Sequence, residues 1–375
     1  MKSWISLNMT PGIGPRKATQ LLEKFGSAEN VFHAVRRELE ALRLNAESIE
    51  SILKREFHDR AAKELERVQA LGGDILLLDD GSYPYLLREI DDPPIVLYVR
   101  GDWTACFDAP AVAVIGSRRS STYGQNAAEM LARDLAAHGV SVVSGFARGI
   151  DTAAHRGALQ AKGRTIAVLG TGLDECYPKE NRKLADEILA GGGALVSQFP
   201  LGTPPLRENF PYRNRIISGL SLGILIAEAT ERSGSLITAR LAAEQNREVL
   251  AVPGNITSRN SFGTNYLIKS GAKLVQQWQD VVAELPAEIA AAILPPQPDA
   301  PKDSSRPRQP ALAPAGLGEH ERRVWSRLSA DEPKHIDALL AECHLTFGEL
   351  NGSLVELDLK DLIRTLPGNF YARKI

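Results

Sequence analysis

The chain has 375 residues, 44 Lys and Arg against 46 Asp and Glu, a net charge of −2 and 43% hydrophobic residues. That length exceeds one ordinary domain and predicts two or three. Near-neutral charge excludes a general polyanion binder, so any basic site must be local. Cys106, Cys176 and Cys343 lie far apart with no CxxC pair, which excludes a disulfide framework and a zinc ribbon and fits a reducing cytosol. No apolar run reaches membrane-spanning length and no signal-peptide pattern opens the sequence, so a cytoplasmic protein without a membrane partner is expected.

Residues 1–72 carry helical periodicity and predict a small all-α unit. Gly12-Ile13-Gly14 forms a tight turn before a helix whose apolar face is Ala18, Leu21, Leu22 and Phe25. This stretch resembles a helix-hairpin-helix, in which backbone N–H groups at a helix start receive a DNA phosphate. Gly12, Gly14, Arg16 and Lys17 are therefore a candidate second DNA contact; the alternative is a helix-packing turn without a ligand. Apolar runs at 75–78 and 95–99 predict strands that precede the main sheet.

The stretch 111–159 reads as strand, glycine turn, helix, strand, glycine turn, helix. Residues 112–115 and 140–143 are the strands, and Gly139 closes the first helix. Further strands are expected at 164–169, 194–197, 222–229 and 248–252, and helices at 180–190, 213–219, 235–246 and 263–270. Successive βα units mean a parallel sheet covered by helices, with ligands beyond the carboxyl ends of the strands. Eight of the 22 prolines fall in 286–316, which reads as a linker. Two helical patterns, the run 350–357 and Pro367-Gly368-Asn369 suggest a winged helix over 317–375.

Four motifs fall at the predicted strand ends. Gly116-Ser117-Arg118-Arg119 combines close backbone approach, successive N–H groups at a helix start and guanidinium forks, which suits an anion; a tight turn with solvated arginines is the alternative. Neither GxGxxG nor GxxxxGK[ST] occurs, so no dinucleotide or P-loop nucleotide is favoured. Asp151 and His155, beyond Arg148, share a helix face. They form either a catalytic or metal-binding pair or, as the favoured reading, a helix cap and a locally bonded histidine. The segment 207–215 interleaves Arg207, Arg213 and Arg215 with Phe210, Tyr212 and Asn214, a pattern suited to phosphates and an unpaired base. Ser233-Gly234-Ser235 opens another helix after a buried strand.

Together the motifs Gly-Ser-Arg (116–118), Ser-Gly-Phe-Ala-Arg-Gly-Ile-Asp-x-x-Ala-His (144–155), Gly-x-Gly-Leu-Asp-x-x-Tyr-Pro-x-Glu-Asn (170–181), Phe-Pro-x-Arg-Asn-Arg (210–215), Ser-Gly-Ser-Leu-Ile-Thr-Ala (233–239) and Pro-Gly-Asn (253–255) resemble those of the DNA-processing protein A (DprA/Smf) family. The resemblance covers about 74–285 closely. It implies an α/β fold in four parts: a sterile-alpha-motif-like helical unit (1–72), an extended Rossmann-like domain (73–285), a Pro-rich linker (286–316) and a winged-helix-like domain (317–375). It implies a dimeric, non-enzymatic mediator that binds single-stranded DNA and loads the RecA recombinase during natural transformation, with no cofactor or metal. By motif, Arg118 is the family's phosphate-binding arginine, with Gly116 and Ser117 in the same turn. Phe210 is its pocket phenylalanine, Arg207 stands where some members have lysine, and Ser233, Gly234 and Ser235 complete the wall. Arg119, Arg148, Arg213, Asn214 and Arg215 join the expected DNA contacts. The implied dimer contact falls on Tyr266, Leu267, Ile268 and Leu274. The rival reading is a Rossmann-like enzyme or sensor for a free nucleotide, using Asp151 and His155. A third makes the chain an adaptor whose small domains dock partners.

Overall fold

The computed structural model of the protein describes residues 1–294, 314, 316–330 and 333–374. A nine-stranded sheet organises the chain. Its strands are β1 (Gly73–Leu77), β2 (Val96–Gly101), β3 (Ala111–Gly116), β4 (Ser141–Ser144), β5 (Thr165–Val168), β6 (Ala194–Ser197), β7 (Gly223–Glu228), β8 (Glu248–Ala251) and β9 (Lys273–Leu274). Their order is β1-β2-β6-β5-β4-β3-β7-β8-β9. From β6 to β9 all neighbours are parallel, while β2 runs antiparallel to β6 and to β1. Strands β3 and β7 are buried along almost their whole length, which is why each reads as an unbroken apolar run.

The chain passes from β3 through β4 and β5 to β6 on one side, then returns to place β7 on the other side of β3. This reversal is the topological switch point, where crevices form outside the strand ends in open α/β sheets. Helices Thr122–Ala137 and Ile150–Gln160 cover one face over Val112, Val114, Leu225 and Leu250. Helices Asn209–Gly219 and Gly234–Glu244 cover the other over Ala113, Ile115, Ile224 and Ile226. At Gly149, φ is +78° and an added Cβ would lie 2.4 Å from the Ser117 carbonyl. Only glycine lets the turn after β4 close against the turn after β3.

The helices of residues 1–72 share a core with the sheet: Leu7, Leu21, Ile52 and Val68 pack with Ile75, Tyr98 and Leu195. The buried Glu64 carboxylate accepts the Leu201 N–H, and Arg67 bridges Glu64 and Asp174. Beyond the sheet, helices Glu319–Arg327, Ile336–Cys343 and Phe347–Leu359 pack on a small antiparallel sheet of β10 (Lys334–His335), β11 (Ile363–Leu366) and β12 (Phe370–Arg373), in the order β10-β12-β11. This is a winged helix with its wing turn at 367–369. It rests on helix Thr122–Ala137: the Asn126 amide donates to the Ala330 carbonyl, and Arg364 pairs with Glu129 at 3.0 Å.

Two expectations change. The expected linker 286–316 opens with a helix, Ala287–Ile293, because alanine and glutamate favour helix and Pro286 sits just ahead of its first turn. Residues 295–313 and 315, the rest of that stretch, lie outside the described residues. The helix expected over 213–219 begins at Asn209, since Pro211 falls in the first turn, where its missing N–H costs no hydrogen bond.

Candidate nucleic-acid interface

A pocket of about 920 Å³ opens beyond the carboxyl ends of β3 and β7. Five segments converge on it: 116–119 after β3, Ala147 and Asp151 after β4, Tyr177 after β5, residues 205–217 before and within helix Asn209–Gly219, and Ser233, Gly234 and Ser235 after β7. The early start of that helix sorts its side chains. Phe210, Arg213, Asn214 and Ile217 recur at helical spacing and all line the pocket, whereas Tyr212 and Arg215 fall on another face.

The mouth is aromatic and cationic. Arg118 is exposed, and its guanidinium lies over the Phe210 ring, 5.1 Å from the centroid. The Tyr177 ring sits 5.4 Å from Phe210, tilted by 43°. Gly170 backs Phe210 so closely that a Cβ there would come within 2.8 Å of the ring. A second cavity of about 260 Å³ adjoins the first and is lined by Arg118, Arg119, Arg148, Tyr177 and Phe210. Arg119 and Arg207 are exposed and line the larger pocket. Three guanidinium groups beside two aromatic faces can hold phosphates and stack a base.

Two of the N–H groups that the Gly-Ser-Arg-Arg motif offers to an anion are engaged within the protein. The Ser117 N–H donates to the Glu228 carbonyl at 2.8 Å, and the Arg119 N–H donates to Ser117 Oγ at 3.1 Å. The Ser121 N–H and hydroxyl donate to the two Glu228 carboxylate oxygens at 2.7 and 2.6 Å. Glu228 is buried, and burial raises its carboxyl pKa against the pull of the Ser121 bonds. The turn thus spends these donors on its own closure.

Two further arginines are buried in the fold, and a third is paired at the surface. Arg213 reaches the pocket wall but is buried, donating to the Gly145 and Val168 carbonyls. Burial lowers its pKa to about 10, against Asp151 nearby. It is a buttress and not a free phosphate ligand. Arg215 lies outside the pocket lining. Its Nε is 3.2 Å from the Asp92 carboxylate, and its other nitrogens donate to Gln198 Oε1 at 2.7 Å and the Tyr212 carbonyl at 3.1 Å. Arg148 lines the smaller cavity with its guanidinium paired to Glu180.

Asp151 and His155 have separate partners. Asp151 accepts the Ala147 N–H at 3.2 Å, and burial raises its pKa against the attraction of Arg213. His155 is fully buried, with Nδ1 2.7 Å from Thr165 Oγ1. The Thr165 hydroxyl donates to the Val142 carbonyl, so Nδ1 carries the proton and donates to Thr165. Burial holds the imidazole neutral, with its pKa lowered to about 3.

The profile of the family described as DNA recombination-mediator protein A matches residues 74–286, and that of the DprA winged helix domain matches 295–369. The chain belongs to the DNA recombination-mediator protein A family. It is 34% identical over 391 residues to Protein Smf of Synechocystis, covering 99% of this chain and 98% of that one. It is 41% identical over 299 residues to Protein Smf of Escherichia coli, covering 78% and 75%. The X-ray structure of DNA processing protein A from Streptococcus pneumoniae superposes with a TM-score of 0.66 at 38% identity, over 75% of this chain and 96% of that one. A structure of DNA processing protein A from Helicobacter pylori, described as giving insight into its single-stranded DNA binding mode, superposes with a TM-score of 0.50 at 34% identity, over 56% and 93%.

Within this recombination-mediator fold, the other expected contacts are spread out. The Gly12 turn packs on Asn45 and Ser48, and the Ser48 hydroxyl donates to the Pro11 carbonyl at 2.6 Å. Gly14 abuts the Tyr212 hydroxyl. Arg16 is exposed and Lys17 half-buried, both outside the pocket lining. Leu274 is exposed in the edge strand β9, Tyr266, Phe262 and Ile256 are exposed outside it, Leu267 packs into the core and Ile268 is half-buried. Phe262 and Ile256 carry no sequence signal, and Tyr177 stands in the 170–181 motif without a site role assigned to it. Tyr177 lies in a polar turn with no periodicity, and only the fold brings it to Phe210. No helix among the described residues is long and apolar enough to cross a membrane.

Proposed function

We propose that this chain is a non-enzymatic recombination mediator that binds single-stranded DNA in the switch-point pocket. Arg118, Arg119 and Arg207 neutralise phosphates, and Phe210 and Tyr177 stack on bases. Asn214, Ser233, Gly234 and Ser235 shape the wall, with Gly116 and Ser117 holding Arg118 in place. The observation that carries this reading is the exposed Arg118 guanidinium lying over the half-buried Phe210 ring, in a pocket where five segments converge. The H. pylori relative, whose solved structure concerns single-stranded DNA, supports the same ligand. Aromatic faces at a pocket mouth suit an unpaired strand, whose bases are free to leave the stack. A role without catalysis is supported by Asp151 and His155, whose polar groups serve the packing of the β4 and β5 turns.

In this reading the protein acts in the cytoplasm during natural transformation, passes its strand to RecA and works as a homodimer through the apolar β9 edge. The helical unit 1–72, the Rossmann-like domain 73–285, the stretch 286–316 and the winged helix 317–375 are its working divisions. The test is fluorescence anisotropy of a labelled oligo-dT against a matched duplex, followed by a RecA filament-assembly assay on the bound strand. Salt-sensitive, single-strand-selective binding is expected. Equal affinity for the duplex overturns the ligand assignment.

A further inference from the structure

The winged helix presents a face that the pocket does not use. In helix-turn-helix folds that read duplex DNA, the recognition helix enters the major groove and lysines and arginines neutralise the phosphates beside it. Here the corresponding helix, Phe347–Leu359, carries Glu349, Glu356 and Asp358 and no lysine or arginine. The wing turn 367–369 is uncharged. The cations that flank these elements are committed elsewhere. Lys360 pairs with Glu321 at 2.7 Å, Arg364 reaches Glu129 on helix Thr122–Ala137, Arg373 lies over the Trp325 ring, and Lys374 pairs with Asp361. A phosphate backbone laid on this helix would meet carboxylates.

The same helix exposes apolar side chains. Phe347, Val355 and Leu359 are 59%, 53% and 76% exposed, and with the exposed Asn351 they fall at successive four-residue intervals, forming one stripe. Beside it stand Gly348 and Gly352. Glycine is the poorest helix former after proline, and among the described residues nothing lies within 4 Å of a Cβ added at either position. At these two positions the helix surface beside the stripe carries no side chain.

We propose that this face docks a basic amphipathic helix of a partner protein. The partner's apolar residues lie along Phe347, Val355 and Leu359, its backbone approaches over Gly348 and Gly352, and its lysines or arginines meet Glu356 and Asp358. Charge complementarity selects this occupant over duplex DNA, whose phosphates the carboxylates repel. It also makes the winged helix an adaptor carried beside the strand-binding pocket, fixed there by Asn126 and Arg364.

The probe is a fluorescent peptide of leucine and lysine, about 18 residues long so that it can hold a helix in water, added to the full chain at low salt. Its charge-inverted leucine–glutamate counterpart and a duplex are titrated in parallel. The lysine peptide is expected to bind, and to lose about tenfold in affinity to Val355→Asp and to Glu356→Lys/Asp358→Lys. The second variant should gain affinity for the glutamate peptide. Oligo-dT binding should be unchanged in both, which confirms that they are folded. The proposal is overturned by equal peptide binding to wild type and both variants, by duplex binding that Val355→Asp abolishes, or by a dimer that Leu359→Asp dissociates in sedimentation.

Discussion

Arg215 separates a structural arginine from a ligand-binding one, and its removal has a definite expected outcome. In Arg215→Ala the Asp92 carboxylate loses its ion-pair partner, and the Asp92 carbonyl, Gln198 Oε1 and the Tyr212 carbonyl lose a charged donor. Breaking a buried ion pair costs about 3–5 kcal/mol. The Arg215 side chain is 5% exposed and that of Asp92 26%, so water can recover part of the loss and the lower end, about 3 kcal/mol, applies. For a domain of this size, about 2–4 °C of melting temperature accompanies each kcal/mol, giving a drop of about 6–12 °C. Because Arg215 faces away from the pocket, oligo-dT affinity at 25 °C should stay within about twofold of wild type. Differential scanning fluorimetry and anisotropy on the same preparation read both quantities. An unchanged melting temperature with affinity lowered more than about tenfold would refute the assignment and return Arg215 to the phosphate ligands.

Phe210→Ala and Tyr177→Ala should each cost about 1–3 kcal/mol of oligo-dT binding and leave the salt slope alone; with an abasic strand of equal length both should match wild type, and an equal loss on that strand contradicts stacking. His155 is neutral in the folded chain, with a pKa near 3, and protonated in the unfolded chain below its ordinary value near 6.5. The unfolded state therefore binds the extra proton in that window, and stability falls as pH drops from 6.5 towards 3, by about 1.4 kcal/mol per unit. His155→Gln should flatten the melting-temperature profile below pH 6.5 relative to wild type, and parallel profiles would show that the imidazole is not held neutral. Leu274→Glu, at the exposed β9 edge, should convert a dimer to a monomer in sedimentation and weaken binding to long strands more than to short ones; an unchanged sedimentation coefficient removes that edge from the interface.

The sheet was legible because strands buried on both faces leave unbroken apolar runs, and 194–197 is bounded in the sequence as in the structure. The convergence of loops at one crevice followed from the βα repeat alone. The partner of the Gly-Ser-Arg-Arg turn was not legible. Glu228 closes that turn from over a hundred residues away, and no local pattern signals that its carboxylate and carbonyl consume the amides. The arginines of 207–215 share one charge and one aromatic-interleaved stretch, and nothing local separates them. With the helix starting at Asn209, helical spacing sends Phe210 and Asn214 to the pocket and Arg215 to Asp92. Proline in that first turn hid the start. The Phe210–Tyr177 contact joins a helix to a polar turn after β5 and is a product of tertiary folding.

The most direct test of the strand-binding pocket is oligo-dT affinity of wild type and Arg118→Ala across a salt series. Arg118 is exposed over Phe210 and carries no ion pair among the described residues, so its loss should leave the fold intact. It should remove a charged phosphate contact, lowering affinity by about 1.5–3 kcal/mol. The slope of log affinity against log salt should become shallower by about 0.7, the contribution of one neutralised phosphate on a single strand. Wild-type affinity with an unchanged slope would place the strand elsewhere on the molecule.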